Sequence, residues 1–281
     1  MTKKKNKTLQ KILHNKSVMI GAAMVLVVII IAIFAPFLTP YDIETMDMTN
    51  VLKPPSALHP FGTDQYGRDL MTRVFFGTRI SLLVGFVSVA FSMIIGVIMG
   101  LLAGYFGGWV DGLIGRIVDV FLSFPVLLLS IALVAVMGGG GTVSVIVSLC
   151  LVSWTQYARV VRSSVLGIRE EEYVLAARTM GASDARILVK YVIPNALAPI
   201  IVVATLGIGT AIVSEATLSF MGLGVQPPTT SWGYALSFGL RYMRTASHMA
   251  TIPGLAIMFT VLGFNLLGNG IRDVTDPRMI N

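Results

Sequence analysis

The chain has 281 residues, of which 55% are hydrophobic and 12% carry a formal charge, against about 25% charged in an average soluble domain. That balance excludes an ordinary soluble globular domain and places the protein in the membrane class. The net charge of +7 needs no nucleic-acid partner, because the basic residues fall between charge-free runs, where topology and anionic lipid head groups account for them.

No Asp, Glu, Lys or Arg occurs in 17–41, 80–110, 120–158, 191–214, 216–240 or 245–271. A spanning helix needs about 20 mainly apolar residues to cross a hydrocarbon core of about 30 Å. Residues 1–17 form a basic tail with Lys3, Lys4, Lys5, Lys7, Lys11 and Lys16, ahead of a first span at 18–38. The apolar core of that span is too long for a cleaved signal peptide and no small-x-small site follows, so it reads as an uncleaved anchor. Residues 39–79 form a hydrophilic segment with Pro54-Pro55. A second span covers 80–104.

The next charge-free run is too long for one helix, and Gly138-Gly139-Gly140-Gly141 breaks it into spans at 120–137 and 142–157. Asp111, Arg116 and Asp119 flank a short inner loop before them and mark the span boundary. The fifth and sixth spans are expected at 197–220 and 249–268, and residues 269–281 form a second tail. Backbone groups in lipid must be bonded within their own segment, so the fold class is all-α, a six-helix bundle. Fifteen Lys and Arg fall on the side of the N-terminal tail and six on the other, which predicts both termini in the cytoplasm and residues 39–79 outside.

Residues 159–196 form the one long inner loop. Glu171 to Met180 has strong helix formers and an acidic start that suits the positive end of a helix dipole. Gly181 stands where a helix-ending residue belongs. Ser183-Asp184 can cap a second helix through Ile187, Leu188 and Tyr191, and Pro194 marks the break or first turn before the fifth span. A polar helix between membrane spans has no lipid to face. It rests in water or on another protein, and Ala176, Ala177 and Gly181 are small enough to let a partner surface approach.

Residues 172–194 resemble the EAA loop of ABC importer permeases, which reads Glu-Ala-Ala, three residues, Gly, nine residues, Ile, one residue, Leu-Pro. Ala176-Ala177 and Gly181 fit, as does Ile193-Pro194 conservatively; Tyr191 replaces the Ile, and Leu175 occupies the usual Glu position, with Glu172 one turn earlier. His59-Pro60-Phe61-Gly62-Thr63-Asp64 with Gly67-Arg68-Asp69, Glu215 to Gly224, Ser231-Trp232-Gly233 and Arg272 to Arg278 are similar to segments of dipeptide/oligopeptide/nickel permeases of the DppC/OppC type.

The resemblance implies a type I importer permease fold with a cytoplasmic coupling helix, in a bacterial plasma membrane. It implies that Glu172, Tyr173, Ala176, Ala177, Gly181, Ile193 and Pro194 couple the chain to an ATPase. The implied partners are a homologous second permease, two ATPase subunits and an extracytoplasmic binding protein. ATP and Mg belong to the ATPases, and no cofactor is expected on this chain, which has no G-x-x-x-x-G-K-[ST] loop. Peptides are the favoured cargo, with nickel chelates or glutathione as the alternative.

Four features remain. The glycine run is expected to be a tight turn, not a phosphate cradle. His14, His59 and His248 are too scattered for a metal site. Gly96, Gly100 and Gly104 recur every fourth residue, a close-packing face. Glu215 lies in an apolar span about 27 Å from Leu197, near the outer interface, and is expected either to bond neighbouring groups or to line the pathway. A membrane enzyme would need clustered catalytic side chains, which the sequence lacks. A channel or secondary transporter would show intramembrane charges and repeats, against one embedded carboxylate and no clear repeat here.

Overall fold

A computed structural model describes residues 14–275; the lysines before residue 14 and the tail from residue 276 lie outside that range. Among the described residues there is no strand, only an isolated bridge between Thr63 and Asp69. The helices are α1 (Lys16–Leu38), α2 (Leu70–Phe106), α3 (Gly108–Leu122), α4 (Val126–Val136), α5 (Thr142–Ile168), α6 (Glu172–Thr179), α7 (Asp184–Ile187), α8 (Ile193–Phe220), α9 (Trp232–Arg241) and α10 (His248–Thr275). α1, α2, α5, α10 and the continuous run Asp184–Phe220 are each long and apolar enough to cross a membrane. With the bent pair α3–α4 counted as one span, the described residues hold six.

That pair corrects the expected straight helix at 120–137. The chain turns by 87° between α3 and α4, because Pro125 has no N–H to donate and its ring clashes with the carbonyl one turn back. Asp111, Arg116 and Asp119 are therefore helical residues of α3, with no loop between them. The Gly138–Gly141 run is a turn as expected: Gly138, Gly139 and Gly141 have φ of +89°, +107° and +155°.

The segment before α2 folds around two carboxylates. Asp64 Oδ1 accepts from the backbone N–H of Tyr66 (2.8 Å) and Arg68 (3.0 Å), closing a turn. Asp69 caps α2, accepting from Thr72 N (2.8 Å) and Thr72 Oγ1 (2.7 Å). His59 Nδ1 lies 3.0 Å from Asp69, and His248 Nε2 3.2 Å from the Thr63 carbonyl. α2 thus begins ten residues before the charge-free run, since a capped helix continues through Arg73 and Arg79.

α2 and α5 are held together by glycine. A Cβ on Gly100 would lie 2.6 Å from both Ala158 O and Val161 Cβ, and one on Gly104 2.8 Å from Val165 Cβ. The four-residue glycine repeat is therefore the seam read from the sequence. α1 packs on α10 in the same way, Gly21 meeting the Leu267 and Gly263 backbone and Gly270 meeting Val18. That contact brings the start of α1 and the end of α10 to one end of the bundle.

Candidate functional site

The inner loop is built onto the ends of α2 and α5. Arg169 Nη1 donates to Gly104 O (3.0 Å), and Arg162 grips Asp111 of α3 through Nε (2.5 Å) and Nη2 (2.6 Å). The Tyr105 hydroxyl donates to Asp184 Oδ1 (2.5 Å) at the start of α7, and the Arg178 guanidinium lies 5.5 Å from the Tyr105 ring centre. None of these pairings was legible in the sequence, because the hydrogen-bonded partners are 51 to 79 residues apart.

α6 has two unlike faces. Val174 and Ala177 are buried against Val161, Val165, Ile187, Val192 and Ala196. Glu171, Glu172, Tyr173, Ala176, Thr179 and Met180 are exposed. Partial desolvation, then the nearby Glu171, raises the Tyr173 phenol above the ordinary tyrosine value. Gly181 at φ +80° ends the helix, with Ala182 N donating to Ala177 O (3.1 Å) and Gly181 N to Arg178 O (3.0 Å). Those two bonds form a Schellman motif, which needs a left-handed residue at that position.

Two expectations about this loop need correction. Ala177 is 2% exposed and faces the chain's own core, so the small surface open to a partner is Ala176 and Gly181. Ser183 occupies the cap position of α7 but its side chain makes no capping bond. Pro194 falls in the first turn of α8, one of its two expected places, and does not break the helix. Leu188–Val192 wind as a π-turn, in which Ile193 N donates to Leu188 O. The widened turn accommodates the proline, and Asn195 Nδ2 donates to Tyr191 O (2.6 Å). α7, the π-turn and α8 are one 37-residue helix, Asp184–Phe220. Ile193 is half-buried and Pro194 exposed on it, well past α6.

Glu215 lies toward the other end of that long helix and is fully buried. Its Oε1 accepts from Ser219 Oγ and Ser231 Oγ, both at 2.7 Å. Those hydroxyls in turn accept from Val225 N (3.3 Å) and Tyr234 N (3.1 Å). Glu215 therefore ties α8 to the loop before α9, which favours the first of its two expected roles. Beside it, Trp232 donates through Nε1 to Val74 O (3.0 Å), and Arg73 Nη2 donates to Thr230 Oγ1 (3.2 Å). Among the described residues no group of three or more His, Cys, Asp or Glu is placed to hold a metal.

A bundle of apolar spans, with a short helix packed by one face on the ends of two of them and polar on the other, is the architecture of a multi-pass membrane subunit. The chain belongs to the family described as binding-protein-dependent transport system inner membrane components, whose profile matches residues 96–281. A second profile, the N-terminal TM domain of oligopeptide transport permease C, matches residues 7–55.

It is 44% identical over 265 residues to the dipeptide transport system permease protein DppC of Alkalihalophilus pseudofirmus, covering 94% of this chain and 87% of that one. It is 45% identical over 262 residues to the glutathione transport system permease protein GsiD of Escherichia coli O157:H7, covering 93% and 86%. In fold it is similar to a chain of the inward-facing MetNI methionine ABC transporter, with a TM-score of 0.59 at 24% identity, covering 74% of this chain and 98% of that one. The protein is thus a permease subunit of an ABC importer, and ATP hydrolysis resides in separate ATPase subunits.

Proposed function

We propose that this chain forms, with a homologous second permease, the translocation pathway of a bacterial plasma-membrane importer for short peptides. An extracytoplasmic binding protein delivers the peptide, and two cytoplasmic ATPases bind ATP and Mg. The relatives that carry dipeptides and glutathione support the cargo class, since glutathione is itself a small peptide. Both termini and the α6 loop lie in the cytoplasm, as the bias of basic residues supports.

The observation that carries the reading is α6. Its inner face is locked to α5 and α7, while its outer face offers Glu172, Tyr173, Ala176 and Met180. An ATPase groove that held this face would move α6, and the continuous helix Asp184–Phe220 would carry that motion roughly 55 Å at 1.5 Å per residue.

The test separates the two faces. Ala176→Arg leaves the packed face intact, so the protein should assemble normally, bind the ATPases weakly and lose uptake. Ala177→Arg forces a charge into a dry cluster at a cost above about 3 kcal/mol, and should reduce the amount of folded subunit. Normal uptake with substrate-stimulated ATP hydrolysis in Ala176→Arg proteoliposomes would remove α6 as the transmission element.

A further inference from the structure

Where α2, α5 and α8 meet the start of α4, a cleft of about 30 Å³ has walls that mix the polar side chains Ser88, Ser153, Gln156, Tyr157, Thr210 and Ser214 with apolar ones such as Val89, Val126 and Ala211, and none of its lining residues is charged. That is space for about one water molecule. Ser153, Gln156 and Tyr157 share one face of α5, and Thr210 and Ser214 one face of α8, by helical spacing. Gly207 leaves room for the Tyr157 hydroxyl, which a Cβ there would strike.

Two observations point away from ordinary helix packing. Ser88, the central residue of α2, is 2% exposed and its Oγ has no hydrogen-bond partner. Among the described residues only one other buried side-chain atom, Glu215 Oε2, shares that state. At the same cleft, Gln156 and Thr210 are exposed on the surface of this subunit. An amide left in hydrocarbon costs about 4–8 kcal/mol, so lipid cannot cover this face. Water, a solute or a second protein must.

We infer that this face lines the route the cargo takes, and that it accepts neutral hydrogen-bonding groups of the peptide-amide class. The inference rests on the importer reading above. Hydroxyl and carboxamide groups both donate and accept, which matches the N–H and C=O of a peptide bond in any orientation. Without a fixed charge the lining holds neither peptide terminus tightly. Weak contacts at several sites suit passage better than one strong one.

Cys150→Ala removes the single thiol of this chain and supplies the parent for the test. Single cysteines replace Ser153, Gln156, Thr210 and Ser214, with Leu26 and Leu151, exposed apolar residues of α1 and α5, for comparison. The assembled transporter in proteoliposomes is treated with a membrane-impermeant methanethiosulfonate, and adduct formation is read as the mass of this chain. The four polar positions should react roughly tenfold faster than Leu26 and Leu151, because only a hydrated thiol ionises to the reactive thiolate. In a second arm, Thr210→Lys should lower uptake of a lysine-containing dipeptide relative to a neutral one, and Thr210→Asp should raise it.

Unreactive thiols at all four polar positions would make the face a dry contact with the second permease and overturn the inference. A preference unchanged by either charge would overturn it equally. Failure of the native complex to import any peptide would count against the proposed function instead, and the labelling arm is read independently of uptake.

Discussion

Glu215→Leu tests what holds the outer end of α8 to the loop before α9. The carboxylate accepts two buried hydroxyls at 2.7 Å, and leucine leaves both without that acceptor. Each buried group deprived of its partner costs about 1–3 kcal/mol. Some is recovered because Oε2, which has no partner, no longer has to be held out of water. The net loss is about 2–4 kcal/mol. For a chain of this size that lowers the midpoint of thermal unfolding by about 5–10 °C, measured on the purified complex in detergent.

Glu215→Gln keeps an oxygen where both hydroxyls point, and adds one N–H where the native atom is unpaired. It should lose only about 1–2 kcal/mol and retain most uptake. Equal midpoints for the two variants, or a leucine variant as stable as the parent, would refute the account of Glu215 as an acceptor for Ser219 and Ser231.

Gly100→Leu drives a side chain into the Ala158 carbonyl and Val161, so it should cost at least about 1–3 kcal/mol and reduce the yield of assembled complex. Gly112→Ala, where a Cβ meets nothing within 4 Å, should be neutral or gain up to about 1 kcal/mol; both are read from thermal midpoints. Asp69→Ala removes the cap of α2 and should cost about 1–2 kcal/mol, with faster proteolysis within residues 39–69. Cysteines at Asn50 and Thr229 should label from outside the cell and one at Ser183 only after permeabilisation; outside labelling of Ser183 would reverse the proposed orientation.

The sequence by itself determined the bundle, because a charge-free run long enough to cross lipid leaves the backbone one practical way to bond itself. It also determined the seam at Gly96, Gly100 and Gly104, since a repeat of four places three residues on one face of any helix. The helix break at Gly181 was legible for a local reason, the left-handed conformation that a Schellman motif demands. What it could not determine were the contacts between distant segments. That Ala177 packs inward while Ala176 faces out depends on where α5 and α7 lie, and both choices look alike in an Ala-Ala pair. Pro125 and Pro194 are the same residue type, yet one ends a helix and the other rides through it on a π-turn. The role of Glu215 required Ser231, which reaches it only after the chain has turned back from the end of α8. Apolar patterning and local backbone preference are written in neighbouring residues, whereas burial and hydrogen-bond partnership are properties of the packed bundle.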